Sequence, residues 1–195
     1  YLGLKHLRFW NIIIVNIILS EVCVMANIQL DKAIEMIIDS YKNGGKLLVC
    51  GNGGSAADSE HIVGELMKSF ILPRPATGEV ADALQKEFPD GEWQLLQNGV
   101  QAISLPSQAA ISSAYINDVS APMVYAQLVH GYAKPGDVLL CLSTSGNSGN
   151  VVNAAKVARA KGITTIAMTG AKDSKLSALC DVTIQAPATE TFQIQ

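Results

Sequence analysis

The sequence is poor in charge and has no excess of basic residues. Charged residues make up 16% of the 195 residues, and 14 lysines and arginines stand against 17 aspartates and glutamates, for a formal net charge of −3. Nucleic-acid binding usually needs a basic field, so we expect no nucleic-acid partner. Apolar residues, at 49% of the chain, exclude general disorder and allow one domain with a sizeable core.

Cysteine is sparse, and none of the four residues lies at a metal-site spacing from another. Each of them lies in or beside an apolar run: Cys23, Cys50, Cys141 and Cys180. We predict buried free thiols, which are typical of a reducing compartment, and therefore a cytoplasmic protein.

The first apolar run, residues 9–19, is too short for a transmembrane helix, which takes about 20 residues. It resembles the core of a signal peptide, yet residues 20–23 are no small-residue cleavage site. We expect no membrane partner. Residues 1–26 are interpreted as an atypical segment, either a helical arm or upstream sequence wrongly joined to a start at Met25.

From residue 27 onward, short apolar runs alternate with segments of helical spacing. This alternation predicts an α/β fold with a parallel sheet covered on both faces. The predicted strands are residues 46–50, 102–105, 138–142, 164–168 and 182–185. The predicted helices are residues 29–41, 56–70, 107–116, 122–132, 149–160 and 174–179. Residues 72–99, rich in proline and glycine, are interpreted as an excursion with a short helix near 80–88, a flap or a partner contact.

Two strand–loop–helix units share one design. The strand KLLVC leads through GNGGS (51–55) into a helix, and the strand VLLCL leads through STSGNS (143–148) into another. Such loops expose backbone N–H groups, and the following helix adds its free amides and the positive end of its dipole. The two loops together favour a phosphate ester over the alternative, in which residues 55–58 form a plain capping box.

Other phosphate-binding signatures do not fit. Neither loop contains the lysine of a Walker motif, and Ala56 stands where a dinucleotide fingerprint has its third glycine. His61 and Glu65 lie one helical turn apart just after the first loop, so they form either an acid/base pair, two ligands of one metal ion or a solvated helical pair.

The strings GGKLLVCGNGGSAADSEHIVGEL, GDVLLCLSTSGNSGNVVNAA and GITTIAMTG resemble the sugar isomerase (SIS) fold, and more narrowly the phosphoheptose isomerases. The resemblance covers residues 27–195. It implies a three-layer, flavodoxin-like parallel sheet and a homotetramer with active sites at subunit interfaces. It also implies the conversion of sedoheptulose 7-phosphate to D-glycero-D-manno-heptose 7-phosphate through an enediol.

The resemblance also implies roles for single residues. Glu65 would be the main proton-transfer base, with His61 as a second catalytic residue, and Asp118 would contact the substrate. His61, Glu65 and Gln195 match residues that hold zinc in some members, and Gln195 would also touch the substrate. The residues expected to hold phosphate and line its pocket are Asn52, Gly53, Gly54, Ser55, Ser143, Thr144, Ser145 and Ser148.

Two departures from the family pattern are apparent. Family members continue past the position of Gln195 into a long helix that carries a second catalytic histidine, whereas this sequence stops at Gln195. We therefore expect a truncated domain with weakened turnover and intact phosphate binding. The segment 72–99 is longer than in the commonest members. The alternative function is a non-catalytic SIS protein that binds a sugar phosphate or the replication initiator.

Overall fold

The structure, a computed structural model, describes residues 28–195. The predicted helical arm and the other expectations for residues 1–26 lie outside the described residues. Within the described part, no helix is both long enough and apolar enough to cross a membrane.

Five parallel strands form one sheet in the order β2-β1-β3-β4-β5. The strands are β1 Leu47–Cys50, β2 Ala102–Ser104, β3 Val138–Leu142, β4 Thr164–Thr169 and β5 Val182–Gln185. This order is that of the flavodoxin-like doubly wound sheet, which confirms the predicted fold class. The five predicted strands are all present, with bounds that differ by a residue or less.

Eight α-helices accompany the sheet in the described chain. They are α1 Ile28–Lys42, α2 Gly54–Met67, α3 Glu79–Glu87, α4 Ala109–Asp118, α5 Val124–Tyr132, α6 Gly149–Ala160, α7 Lys175–Leu179 and α8 Thr191–Ile194. Short 3₁₀ turns at Glu92–Leu95 and Ala121–Met123 were not predicted, and neither was α8.

Alternate residues of each strand enter two different cores, because successive side chains of a strand point to opposite faces. Leu47 and Val49 pack with the apolar faces of α1 and α2. Leu48 and Cys50 pack on the other face, with α5, α6 and α7. The result is the predicted three-layer arrangement. It explains why β1 and β3, in the middle of the sheet, are continuous apolar runs.

The beginning of α2 differs from the prediction. Gly53 is its N-cap, no side chain caps it, and Ser55 lies inside the helix, which excludes the alternative of a capping box at residues 55–58. A capping box does exist elsewhere, at the start of α7, where Ser174 and Ser177 satisfy each other's backbone amides. The start of α2 therefore keeps its amides available for another acceptor.

The two ends of the excursion 72–99 contact each other. Pro75 and Gln97 form an antiparallel bridge, and the Asn98 amide donates to the Arg74 carbonyl at 2.6 Å. The predicted helix of this segment is present as α3, and none of its residues is buried.

The thiol prediction is confirmed in part. Cys50 and Cys141 are free and buried, whereas Cys180 is free and only half-buried. Cys23 lies outside the described residues.

Candidate active site

The two serine-rich loops leave the sheet at the same edge. β1 and β3 are hydrogen-bonded neighbours in register, with Cys50 opposite Cys141, so the loops that follow them start side by side. The strand order reverses between β1 and β3. This is the point at which open α/β sheets bind ligands, beyond the carboxyl ends of the strands.

The first loop turns at Gly53, whose φ of 58° and ψ of −121° are strained for a residue with a side chain. The amides of Ala56 and Ala57 both donate to the Gly53 carbonyl. The amides of Gly54 and Ser55 come before them in the first turn, where a helix offers no internal acceptor. They are therefore available to an anion at the positive end of α2.

The second loop is a tight serine turn. Gly146 adopts a φ of 62°, and its amide donates to the Ser143 carbonyl at 2.9 Å. The hydroxyl oxygens of Ser143 and Ser148 lie 3.1 Å apart, and Ser145 Oγ accepts from the Asn147 amide at 3.2 Å. Ser148 is the N-cap residue of α6. Three of the predicted serines therefore surround the start of one helix.

The side chains of Asn52 and Asn150 join the two loops. Asn52 Nδ2 donates to Asn150 Oδ1 and Asn150 Nδ2 donates to Asn52 Oδ1, both at 2.9 Å. The sequence reasoning placed Asn52 in the site but missed Asn150, although Asn150 lies only two residues beyond the second loop.

Tyr125 of α5 forms a hydrogen bond with the start of the first loop. Its hydroxyl donates to the Gly51 carbonyl at 2.7 Å, and its side chain is buried. Burial, with a smaller contribution from Cys50, raises the pKa of Tyr125 to about 12. Tyr125 is 74 residues from its partner along the chain, and no sequence motif signals the contact.

The last described residue, Gln195, lies against the first loop. Its Nε2 is 3.4 Å from Ser55 Oγ, and its amide group occupies the space where a side chain at position 54 would be. The short helix α8 therefore brings Gln195 to the predicted pocket, as the resemblance implied.

His61 and Glu65 lie on α2, beside the buried Ile62 and Leu66. The Glu65 side chain is 13% exposed, and both of its carboxylate oxygens lie 3.5 Å from Lys68 Nζ. His61 is exposed. Glu65 is thus half-buried at the margin of the core, on the helix whose amino end faces the two loops.

Arg74, which sequence reasoning missed, holds the carboxyl end of α2. Its Nη2 donates to the carbonyls of Glu65, at 3.1 Å, and Lys68. The side chain is buried, and its Nε and Nη1 have no hydrogen-bond partner in the described chain. Burial lowers the pKa of the guanidinium, and the charges of Tyr41 and Glu65 oppose that shift.

Asp118 is the last residue of α4 and is exposed. Its carboxylate accepts a hydrogen bond from the neighbouring Asn117 Nδ2 at 2.7 Å. Within residues 28–195 it has no hydrogen bond to either loop. Its predicted contact with the substrate stays a prediction.

A zinc ion fits the predicted ligands only in part. His61 and Glu65 offer an imidazole and a carboxylate at a suitable spacing, but Gln195 offers an amide, which is not a usual zinc ligand. Lys68 also competes for the Glu65 carboxylate. The described residues contain no group of three or more His, Cys, Asp or Glu side chains arranged to hold a metal.

The arrangement offers two chemical capabilities, one at the two loops and one along α2. Two helix amino ends and several hydroxyl groups can hold a dianion in place. A half-buried carboxylate and an imidazole on the first of these helices can transfer protons. Together these features suit a reaction that moves a proton within a phosphorylated substrate.

Comparison with known proteins identifies the family of the chain. A family model described as "SIS domain" matches residues 14–90 and 94–170. The phosphoheptose isomerase of Aliarcobacter butzleri is 36% identical over 166 residues, which is 85% of this chain and 76% of the relative. That of Trichlorobacter lovleyi is 35% identical over 161 residues, or 83% of this chain and 70% of the relative.

Solved structures lead to the same family. The phosphoheptose isomerase of Neisseria gonorrhoeae superposes with a TM-score of 0.67 at 30% identity, covering 84% of this chain and 75% of that one. That of Francisella tularensis, at 23% identity, shares the fold with a TM-score of 0.70 over 98% of this chain and 90% of its own. The chain therefore belongs to the phosphoheptose isomerase family of SIS-domain proteins.

Proposed function

We propose that this chain interconverts sedoheptulose 7-phosphate and D-glycero-D-manno-heptose 7-phosphate. The observation that carries the proposal is the convergence of two anion-binding loops at the β1–β3 switch point, with Glu65 on the helix that the first loop opens. The names of the relatives support the same reaction.

Phosphate binding comes first in the mechanism. The amides of Gly54 and Ser55 and the hydroxyls of Ser143, Ser145 and Ser148 hold the phosphate between the amino ends of α2 and α6. Fixing this end of a seven-carbon chain places the opposite end, which carries the carbonyl, at a set distance from the loops. Because binding already holds the reacting carbons in place, less entropy is lost on the way to the transition state.

Proton transfer follows. The Glu65 carboxylate takes the proton from the carbon beside the carbonyl, and the electron pair of that C–H bond forms the carbon–carbon double bond of an enediol. Glu65 then returns the proton to the neighbouring carbon. His61 exchanges the oxygen proton, so that a hydroxyl becomes the new carbonyl. General acid–base help of this kind contributes about 10² to 10⁴ in rate.

Zinc remains part of the proposal through two ligands, His61 and Glu65, with Gln195 beside them. A bound zinc ion would supply Lewis-acid polarisation of the carbonyl. Because the ligand set of the described residues fits only in part, no step above depends on a metal.

A homotetramer with active sites at its subunit interfaces also belongs to the proposal. Its support is α4, an apolar helix none of whose residues is buried in the described structure. Ile111, Ile116 and Val119 in and after this helix are 41%, 48% and 65% exposed. Apolar patches of this kind mark interaction surfaces. The free thiols of Cys50, Cys141 and Cys180 support a cytoplasmic location.

An isotope experiment tests the function. Sedoheptulose 7-phosphate is incubated with the protein in D₂O and followed by ¹³C and ¹H NMR. We expect the signals of the aldose, and deuterium at the carbon next to the carbonyl, because the enediol takes its returning proton partly from solvent. A ketose that stays unchanged and free of deuterium would refute the proposed reaction.

A further inference from the structure

Within residues 28–195, Asn52 and Asn150 form the one side-chain to side-chain hydrogen-bonded link between the two loop units. Each amide donates one hydrogen bond to the other at 2.9 Å, across 98 residues of sequence. Asn52 lies in the first loop and Asn150 is the second residue of α6. The pair therefore connects the two anion-binding elements to each other directly, beyond the strands from which they emerge.

The orientation of the Asn150 amide is set by its own helix. The Val151 backbone amide donates to Asn150 Oδ1 at 3.0 Å, which identifies that atom as the oxygen. Asn150 Nδ2 must then face Asn52 Oδ1. Asn52 consequently uses its oxygen and one of its two amide protons on Asn150, and these atoms are not available to a substrate.

We propose that Asn150 is a positioning residue for phosphate binding and that Asn52 acts through it, rather than by holding the sugar itself. The inference rests on the proposed function and adds to it. The pair keeps the amino ends of α2 and α6 at the separation at which both reach one phosphate. Without it, the two loops must be ordered when the ligand binds, and that ordering reduces affinity.

Removing the pair is expected to affect binding and spare chemistry. We expect the loss of the two hydrogen bonds to reduce affinity about tenfold, which is equivalent to about 1.4 kcal/mol. In Asn150→Ala we expect KM and the Kd for sedoheptulose 7-phosphate to rise about tenfold, with kcat within about twofold of wild type, because Glu65 is untouched.

The decisive comparison is a double-mutant cycle on the full chain. It comprises Asn52→Ala, Asn150→Ala and the double variant, with Kd measured by calorimetry and KM and kcat by the NMR assay. If Asn52 acts through Asn150, the double variant binds no more weakly than either single variant. Asn153→Ala is the matched control, since Asn153 lies on the same helix and donates to the Pro122 carbonyl at 3.0 Å.

Each outcome has a defined meaning. The inference would be overturned if Asn52→Ala lowered the affinity more than Asn150→Ala and the two effects were additive in the double variant. Asn52 would then bind the sugar directly. Wild-type affinity in Asn150→Ala would overturn it as well, while the proposed function would stand. A wild-type chain that binds no sugar phosphate would defeat the proposed function itself. If Asn150→Ala does not fold, Asn150→Asp replaces it in the cycle, because it keeps the oxygen that accepts from the Val151 amide and loses the donor to Asn52 Oδ1.

Discussion

Under the proposed mechanism, Glu65 is the residue on which turnover depends most. Replacing it with Gln keeps the shape of the side chain and removes the base, so we expect isomerisation to fall by about 10² to 10⁴. The Kd for sedoheptulose 7-phosphate should stay near the wild-type value. The NMR assay and calorimetry measure the two quantities. Glu60→Gln is the matched control on the same helix, where the carboxylate only accepts a hydrogen bond from Ser107. Undiminished turnover in Glu65→Gln would remove it from the mechanism.

If the serines of the second loop hold the phosphate, as proposed, their loss should reduce affinity rather than rate. In Ser145→Ala combined with Ser148→Ala, two hydroxyl donors to a charged phosphate are lost, each worth about 1.5 to 3 kcal/mol. Affinity for a sugar phosphate should fall by at least about a hundredfold in calorimetry. Ser113→Ala, which removes an exposed hydroxyl bonded only to its own helix, serves as control. Equal affinities for all three proteins would refute the phosphate assignment.

Tyr125 makes stability depend on pH at the alkaline end. Its pKa is about 12 in the folded chain, against about 10 in an unfolded one. The folded state therefore holds the proton to higher pH, and the free energy of unfolding falls as pH rises from about 10 to about 12. Tyr125→Phe should show a shallower decline in chemical denaturation across this range, whereas Tyr132→Phe should follow wild type. Identical slopes for Tyr125→Phe and wild type would contradict the assignment.

The sequence predicts the residues whose chemistry is local. The serines, the glycines and the His61–Glu65 pair are recognisable because they lie within one loop or one helical turn. Asn150, Tyr125 and Arg74 are not, since their roles depend on partners that only the folded sheet brings close. Arg74 is the clearest case, because nothing in an Arg-Pro dipeptide indicates a buried guanidinium at the end of α2.

At the scale of elements, Asp137 fastens β3 to the start of β1. Its carboxylate accepts from the backbone amides of Lys46 and Lys134, at 3.0 and 2.7 Å, and lies 2.6 Å from Lys46 Nζ. The Asp137 side chain is 3% exposed. These contacts lie at the edge of the sheet opposite the loops, where they set the alignment of the two strands that carry the site.

Asp137→Ala should therefore reduce the free energy of unfolding by about 3 to 5 kcal/mol, since it leaves a partly buried ammonium and two amides without their acceptor. Urea denaturation measures the change. Asp90→Ala, at an exposed position of the excursion, should cost less than about 0.5 kcal/mol. A loss below 1 kcal/mol in Asp137→Ala would mean that water replaces these contacts at little cost.

Element bounds were predictable where hydrophobic periodicity is strong. The buried strands and α1, α5 and α6 follow their apolar patterns closely. The start of α2 does not, because a glycine N-cap with positive φ leaves no side-chain signal, while Ser55 imitates one. The four-residue α8 is too short for any periodicity to appear.

At the scale of the whole molecule, α4 exposes apolar surface that the described chain does not cover. Under the tetramer proposal, Ile111→Glu should shift the assembly to smaller species in light scattering, because a charge would be buried at the interface. Lys172→Glu, at an exposed polar position, should leave the mass unchanged. An unaltered mass for Ile111→Glu would exclude α4 from any interface.

The sheet order was predictable only through the family resemblance. Alternating strands and helices indicate a parallel sheet, but they do not say which strands are neighbours. That β1 lies beside β3, and so brings GNGGS beside STSGNS, is a property of the topology. The site therefore depends on the arrangement of the elements as much as on their residues.

The link between Asn52 and Asn150, 98 residues apart, also has a consequence for biosynthesis. Most of the chain must be synthesised before β3 and α6 can complete the pocket of which β1 and α2 form the first part. A nascent chain gains no stability from the sugar phosphate during that interval, and contacts this distant in sequence form slowly. The ligand can act as a folding aid only after translation has passed the second loop.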